Sequence, residues 1–137
     1  MAHPTKQHHT NCATSDLSHA KLSRTNLAYA DLTHASLASA VLSGANLARA
    51  NLSESNVRGV NLSGANLSRA DLSNADLFRA NFSHAVVRGA NLSHTNLRRA
   101  NFSSADLRGA DLSDSDLSGA RLCHTTMPNG HTNSSGC

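Results

Sequence analysis

The chain has 137 residues, enough for one domain, and a formal net charge of +3. Aromatic residues make up 3% and charged residues 15% of the sequence, which argues against an aromatic-lined pocket and a highly charged disordered chain. No apolar run reaches the roughly 18 residues that span a bilayer, so no membrane association is expected. The polar, histidine-rich start has no signal-peptide pattern, which predicts a cytoplasmic protein. The alternative is an exported protein whose signal peptide lies outside this sequence.

The chain divides into three parts by its pattern. Residues 1–9 carry no repeat and are expected to form a flexible N-terminal segment. Residues 10–124 are expected to form one repeat domain, with Cys12 at the core position of a degenerate first unit. Residues 125–137 are expected to form a C-terminal cap or tail.

Every fifth residue from Leu17 to Leu122 is large and apolar, over 22 positions that include all 18 leucines. The remaining four positions hold Val57, Phe82, Val87 and Phe102. Ala lies two residues before this position in 16 units, Asn or Asp one residue before it in 17, and Ser or Thr one residue after it in 13. The unit is therefore Ala-(Asn/Asp)-Leu-Ser-x.

A period of five fits neither a helix face nor a flat strand. Ala and Leu are two residues apart, so they face the same way in a short extended piece. The Asn, Asp, Ser and Gly residues around them favour a corner after each piece. If each corner turns a right angle, four units close a coil of 20 residues, and 22 units make about 5.5 coils stacked roughly 4.8 Å apart.

The A(N/D)LXX motif resembles that of the pentapeptide repeat family, over about four-fifths of the chain. The resemblance implies an all-β fold, a right-handed quadrilateral β-helix (β-solenoid) with Leu and the preceding Ala pointing inward. In this arrangement Phe82 and Phe102 are expected to stack inside, one coil apart, and Phe78 is expected to be the one Phe that faces water.

The C-terminal part carries a strong turn signal, Pro128-Asn129-Gly130. We expect a short capping turn or hairpin over the last coil, with Met127 as a final core residue. Cys123 and Cys137 bracket this part and are either a disulfide or free thiols. Free thiols are the expectation, because a cytoplasmic protein is expected.

The sequence predicts no catalytic, cofactor or metal site. The nine His residues are scattered through the repeat, and no zinc-type cysteine spacing or glycine-rich phosphate loop is present. Ser-His neighbours arise from the repeat itself, and a convex rod offers no cleft. We therefore expect that the protein is not an enzyme and has no cofactor.

Assigning every fourth unit to one wall separates the charges. The acidic wall, around Leu32 and Leu52, carries no Lys or Arg; its acids are Asp31, Glu54, Asp71, Asp111 and Asp114. The arginine wall, around Leu47 and Leu67, has one acid, Asp106; its cations are Arg49, Arg69, Arg88 and Arg108. On a third wall Arg58, Phe78 and Arg98 form one outward column, at a spacing that permits cation–π stacking.

These surfaces favour a non-enzymatic structural or interaction module that presents flat walls to a protein partner, with the Phe78 column and the acidic wall as candidate contact surfaces. The monomer and an end-to-end dimer both fit.

The resemblance implies an alternative, because Qnr-type quinolone-resistance proteins and the mycobacterial MfpA type look like duplex DNA and bind DNA gyrase or topoisomerase IV. This sequence departs from them in its net charge of +3, its uninterrupted register and its lack of an aromatic-rich helical tail. A second alternative is weak nucleic-acid binding through the arginine wall, although the lack of a groove and of stacking aromatics argues against it.

Overall fold

The computed structural model describes residues 9–137. The flexible segment expected over 1–9 lies outside this range except for its last residue. Within the range, no helix is long and apolar enough to cross a membrane.

A ladder of parallel bridges builds the fold. It joins each bridging residue to the one 20 positions later, from Asn11↔Asp31 to Asp106↔Thr126. Each coil therefore holds four five-residue units, and the chain winds into an all-β solenoid. Each coil pairs with the next through single bridging residues rather than long strands, because each extended piece ends at a turn after two residues. One further unit at each end, around Cys12 and Met127, raises the number of coils from the expected 5.5 to six.

The corners are tight turns, nearly all of them closed by one backbone hydrogen bond. The Ala30 N–H donates to the Leu27 carbonyl at 3.0 Å, and the residue between them at the corner, Tyr29, has φ of 63°. The same positive φ recurs at every fifth residue from Thr14 to His124. A positive φ favours Gly, which explains why six units have Gly at this position.

The unit from Ala50 to Glu54 shows how the backbone donors are used. Three N–H groups pair with neighbouring coils: Asn51 with Ala30, Leu52 with Asp71, and Glu54 with Ser73. The Ala50 N–H closes the preceding turn. The remaining donor, Ser53 N–H, reaches the Asn51 side-chain oxygen at 3.0 Å. Asn or Asp precedes the core residue because its side chain accepts this otherwise unpaired donor.

The core is a column of inward side chains. The core Leu residues from Leu32 to Leu107 are 0% exposed, and the Ala residues between them close the walls around them. The Phe82 and Phe102 rings stack with centroids 4.7 Å apart, as the register predicts. Ser55 replaces a core Ala and remains buried because its hydroxyl donates to the Leu52 carbonyl at 2.5 Å.

A hairpin caps the last coil. Strand β1 (Thr125–Thr126) pairs antiparallel with strand β2 (Thr132–Asn133). The Gly130 N–H closes the connecting turn on the Met127 carbonyl at 2.8 Å, with Pro128 and Asn129 between them. The hairpin expected from Pro128-Asn129-Gly130 is thus present, and Met127 packs against the core.

The expectation of free thiols at Cys123 and Cys137 is wrong. The two residues form a disulfide, with their Cα atoms 4.6 Å apart. The hairpin turns the chain back on the last coil, so the final residue meets the end of the repeat. Cys12 is the free cysteine.

Gly64→Ala tests the cost of the positive-φ corner without a steric clash. Gly64 has φ of +64°, and a Cβ added there would meet nothing within 4 Å. We expect a loss of about 1 kcal/mol in the free energy of unfolding, since the left-handed region is unfavourable for an L-residue. Urea denaturation measures it, with Ser63→Ala as a control expected to change stability by less than about 0.5 kcal/mol. Equal stability of the two variants would contradict the corner argument.

Candidate functional site

The structure brings the predicted Phe78 column together. Phe78 follows the core residue Leu77 and points outward, in the position that Ser fills in most units. The Arg58 and Arg98 guanidinium carbons lie 4.6 and 5.6 Å from the centre of its ring. Both distances are within the range of cation–π attraction. The coils before and after that of Phe78 therefore each place a cation against its ring.

The sequence reasoning missed a third cation at this site. The Arg79 guanidinium carbon lies 5.4 Å from the Phe78 ring centre, at the adjoining corner. Phe78 is the Phe that reaches the surface, as the register predicts, and with three arginines against its ring it is half-buried rather than fully exposed. We call Phe78, Arg58, Arg79 and Arg98 the Phe78 cluster.

Acidic side chains hold part of this cluster in place. Arg58 pairs with Asp76 at 2.8 Å, and Asn96 donates to the same carboxylate at 3.2 Å. Hydrogen bonds from Ser118, aided by the Arg98 charge, lower the pKa of Asp116. Arg79 has no ion pair with any residue in the range 9–137, so its charge is available to a ligand.

The acids of the acidic wall lie on one face but do not form an open stripe. Asp31, Asp71 and Asp111 occupy bridging positions two coils apart, with Asn between them. Each accepts hydrogen bonds from the residue two positions later, as in the Ser73 hydroxyl bond to Asp71 at 2.7 Å. These carboxylates serve the fold as caps of backbone donors.

The other two acids of this wall lie at corners beside histidines. Glu54 lies 2.8 Å from His34 Nε2, and Asp114 lies 3.7 Å from His94 Nε2. Both pairs are largely exposed to solvent. The pairs form because each histidine and its acid occupy the same corner position on successive coils, 20 residues apart.

The arginine wall is partly neutralised. Asp106 contacts Arg88 Nε at 2.5 Å and Arg108 Nη2 at 2.8 Å. Val86 on the same wall is 38% exposed, the one large hydrophobic side chain in the described range that reaches the exposed class. The exposure of Val86 could have been predicted from the repeat, because Val86 occupies the position where Asn or Asp is usual.

Two further features lie at the C-terminal end. The ligand atoms of Cys123, His124 and Cys137 lie within 4.8 Å of one another, a convergence that reasoning on the repeat alone missed. A shallow depression of about 580 Å³ on the hairpin is lined by residues from Met127 to Ser134. Its lining has one imidazole, His131, and no carboxylate, so it lacks an acid–base pair.

Comparisons with known proteins identify the repeat. The model of the family described as pentapeptide repeats (8 copies) matches residues 15–53, 45–83, 75–114 and 88–123. No protein with curated function matches the chain.

Several solved structures are similar to the chain. HetL, a pentapeptide repeat protein involved in heterocyst differentiation regulation in the cyanobacterium Nostoc, is 33% identical over 90% of this chain and 66% of its own, with a TM-score of 0.56. A pentapeptide repeat protein of the Arabidopsis thaliana thylakoid lumen is 32% identical over 62% of this chain and 59% of its own, with a TM-score of 0.61. This chain therefore spans about three-fifths to two-thirds of their length.

A third similar structure is trypsin-treated QnrB1, a plasmid-mediated fluoroquinolone resistance protein. It is 22% identical over 80% of this chain and 61% of its own, with a TM-score of 0.56. At this identity the likeness concerns the fold.

Asp31→Asn tests whether the capping carboxylates make stability depend on pH. Hydrogen bonds from the Thr33 hydroxyl and then its N–H lower the pKa of Asp31 below its ordinary value of 3.8. The stability that these hydrogen bonds add is fully present above the pKa that Asp31 has in the unfolded chain. It is lost as the pH falls through the lower pKa that Asp31 has in the folded protein. Asn keeps the acceptor at every pH, so the variant should match the parent at pH 7 and unfold at a higher temperature at pH 3.

Thermal unfolding followed by circular dichroism measures the difference. The reverse change, Asn81→Asp on a wall with no other acid at bridging positions, should lower the unfolding temperature at pH 3 relative to the parent. Identical acid sensitivity of all three proteins would show that the caps do not carry the pH dependence.

Proposed function

Because the chain belongs to the pentapeptide repeat family, we propose that it is a non-enzymatic interaction module, wound as a right-handed quadrilateral β-helix, that binds a protein partner through the Phe78 cluster. The observation that carries the proposal is an outward aromatic ring with three guanidinium groups within 5.6 Å of its centre. Aromatic residues and Arg are the types most enriched where interfaces gain their affinity.

The chemistry of the cluster selects a partner with carboxylates around an apolar side chain. A carboxylate can pair with Arg79, whose charge has no acidic partner in residues 9–137. An incoming carboxylate that draws an arginine away from the ring uncovers Phe78 for apolar contact. Binding would thus exchange cation–π contacts for ion pairs and buried aromatic area.

The non-enzymatic part of the proposal is supported by the shape and chemistry of the surface. The hairpin depression holds a single imidazole without a carboxylate. The His–acid pairs of the acidic wall lie on a convex, largely exposed face. General acid–base catalysis is favoured by paired groups in a concave site that excludes water, and neither place offers both.

Gyrase binding by DNA mimicry is the less supported alternative. From Asp31 to Asp111 the acidic wall spans four coil spacings, about 19 Å. Duplex DNA carries about 11 charges over that length, whereas the wall carries five carboxylates, two of them beside histidines. The charge density is about half of what mimicry requires.

We expect Phe78→Ala to weaken partner binding by at least about 30-fold, the effect of losing an interface residue worth about 2 kcal/mol. Arg79→Glu should weaken it as well, because it repels the carboxylates of the partner. Affinity capture from source cells, followed by titration of the recovered partner by calorimetry, measures both effects. Arg49→Ala on the opposite wall is the matched control and should leave binding unchanged. A partner that binds Phe78→Ala as tightly as the parent would place the interface elsewhere.

The low density of acids predicts little effect on gyrase. In a supercoiling and cleavage assay with and without a fluoroquinolone, micromolar protein should change neither reaction. Inhibition of gyrase that Asp71→Asn relieves would support mimicry and overturn this expectation. The control variant Asn81→Asp changes a different wall and should leave any such inhibition unchanged.

A further inference from the structure

Three side chains with metal-binding chemistry meet where the hairpin returns to the last coil. The sulfur atoms of Cys123 and Cys137 and an imidazole nitrogen of His124 lie within 4.8 Å of one another. The two cysteines form a disulfide in the structure. We propose that the same three residues bind Zn²⁺ when this disulfide is reduced, so that the cap has an oxidised form and a metal-bound form.

Backbone contacts hold the tail at this place independently of the disulfide. The Gly136 N–H donates to the Leu122 carbonyl at 3.1 Å, and the Cys137 N–H to the Ser134 carbonyl at 3.3 Å. A Cβ on Gly136 would lie 2.7 Å from the Leu122 nitrogen, so the two backbones are in direct contact. Reduction therefore leaves Cys137 beside Cys123.

The geometry needed for zinc is close to the one present. In a tetrahedral site with Zn–S near 2.3 Å and Zn–N near 2.1 Å, the two sulfurs are about 3.8 Å apart, and each is about 3.6 Å from the nitrogen. The present ligand atoms already lie within 4.8 Å, so only side-chain rotation and separation of the sulfurs are required. Two thiolates and an imidazole favour Zn²⁺ over harder cations, and water completes the fourth position.

The chemical steps balance with a dithiol as reductant. Its thiolate attacks one sulfur of the disulfide, the Cys123–Cys137 bond breaks, and a mixed disulfide forms. The second thiol of the reductant then displaces the protein sulfur, so the reductant leaves oxidised by two electrons and both cysteines become thiols. Zn²⁺ displaces one proton from each thiol, while His124 donates the lone pair of its neutral ring.

The column of residues before Cys123 offers a hydrogen-bond donor. Ser103 occupies the same position one coil earlier, and the Ser104 N–H donates to the Cys123 carbonyl at 2.8 Å. Among the described residues the Ser103 hydroxyl is buried and has no hydrogen-bond partner. The two positions are one coil spacing apart, roughly 4.8 Å between backbones, so the Ser103 side chain would have to turn toward Cys123 to donate to a thiolate there.

Cobalt binding tests the proposal directly. The full chain is reduced with dithiothreitol, desalted without oxygen and titrated with Co²⁺, then with Zn²⁺ as competitor. We expect one Co²⁺ per chain, a thiolate-to-cobalt charge-transfer band and the visible bands of a tetrahedral site. The oxidised protein and Cys137→Ser should lack the charge-transfer band. His124→Asn should weaken binding at least tenfold, since even outer-shell partners are worth 10–100-fold.

Matched controls separate this site from other thiols and histidines. Cys12→Ser removes the free cysteine at the other end, and His84→Asn removes a corner histidine two coils before His124; both should bind Co²⁺ like the parent. Zn²⁺ should also raise the unfolding temperature of the reduced parent but not of Cys137→Ser. Co²⁺ bands that survive in Cys137→Ser, or that disappear in Cys12→Ser, would overturn the proposal, as would their absence from the reduced parent.

Discussion

Each five-residue unit has five backbone N–H donors, and the ladder and the turn together use only four of them. In the unit at Asn51 the fifth donor, the N–H of Ser53, pairs with the Asn51 side chain. Without that acceptor, one backbone N–H in each unit would have no partner within the protein. The loss of stability would be repeated in every unit of the rod. The requirement explains why Asn or Asp precedes the core residue. In six of the described units the Ser or Thr that follows the core residue adds a hydroxyl hydrogen bond to the same oxygen.

This constraint leaves the charge of a wall free to vary. Asn and Asp offer the same acceptor oxygen, so the fold accepts either of them at neutral pH. Asp71 and Asn91 lie one coil apart on one wall and cap their units in the same way. The position after the core residue is also free, because its own side chain is not needed to satisfy the backbone. Phe78 and Arg58 both occupy it, and their N–H groups are capped at 3.2 and 3.3 Å. The solenoid can therefore display new chemistry on its walls without changing its backbone.

The repeat made much of the fold predictable from the sequence, because register alone decides which side chains share a column. The stacking of Phe82 on Phe102 follows from their separation of 20 residues, and so does the approach of Arg58 and Arg98 to Phe78. The position of Arg79 does not follow from register, since a corner side chain can turn toward either adjoining wall. Shielding by all three arginines depends on those rotamers, which is why the half-burial of Phe78 was not predicted.

The same limit explains why the disulfide was not predicted from the sequence. Beyond Leu122 the chain no longer repeats, so register says nothing about where Cys137 lies. Its place is set by a tertiary contact, the close approach of Gly136 to the Leu122 backbone. The separation of 14 residues made the bridge possible but could not distinguish it from two free thiols.

The end of the rod also differs energetically from its walls. Each coil contacts only its neighbours, so opening begins at a terminal coil and spreads inward. In the last coil Leu112 and Leu117 are only partly buried, whereas the equivalent residues Leu92 and Leu97 one coil earlier are fully buried. A tail fastened at Cys123 holds the hairpin against this less buried coil. Whatever bond fastens it, sulfur to sulfur or sulfur to metal, therefore influences the stability of the coils behind it as well as that of the tail.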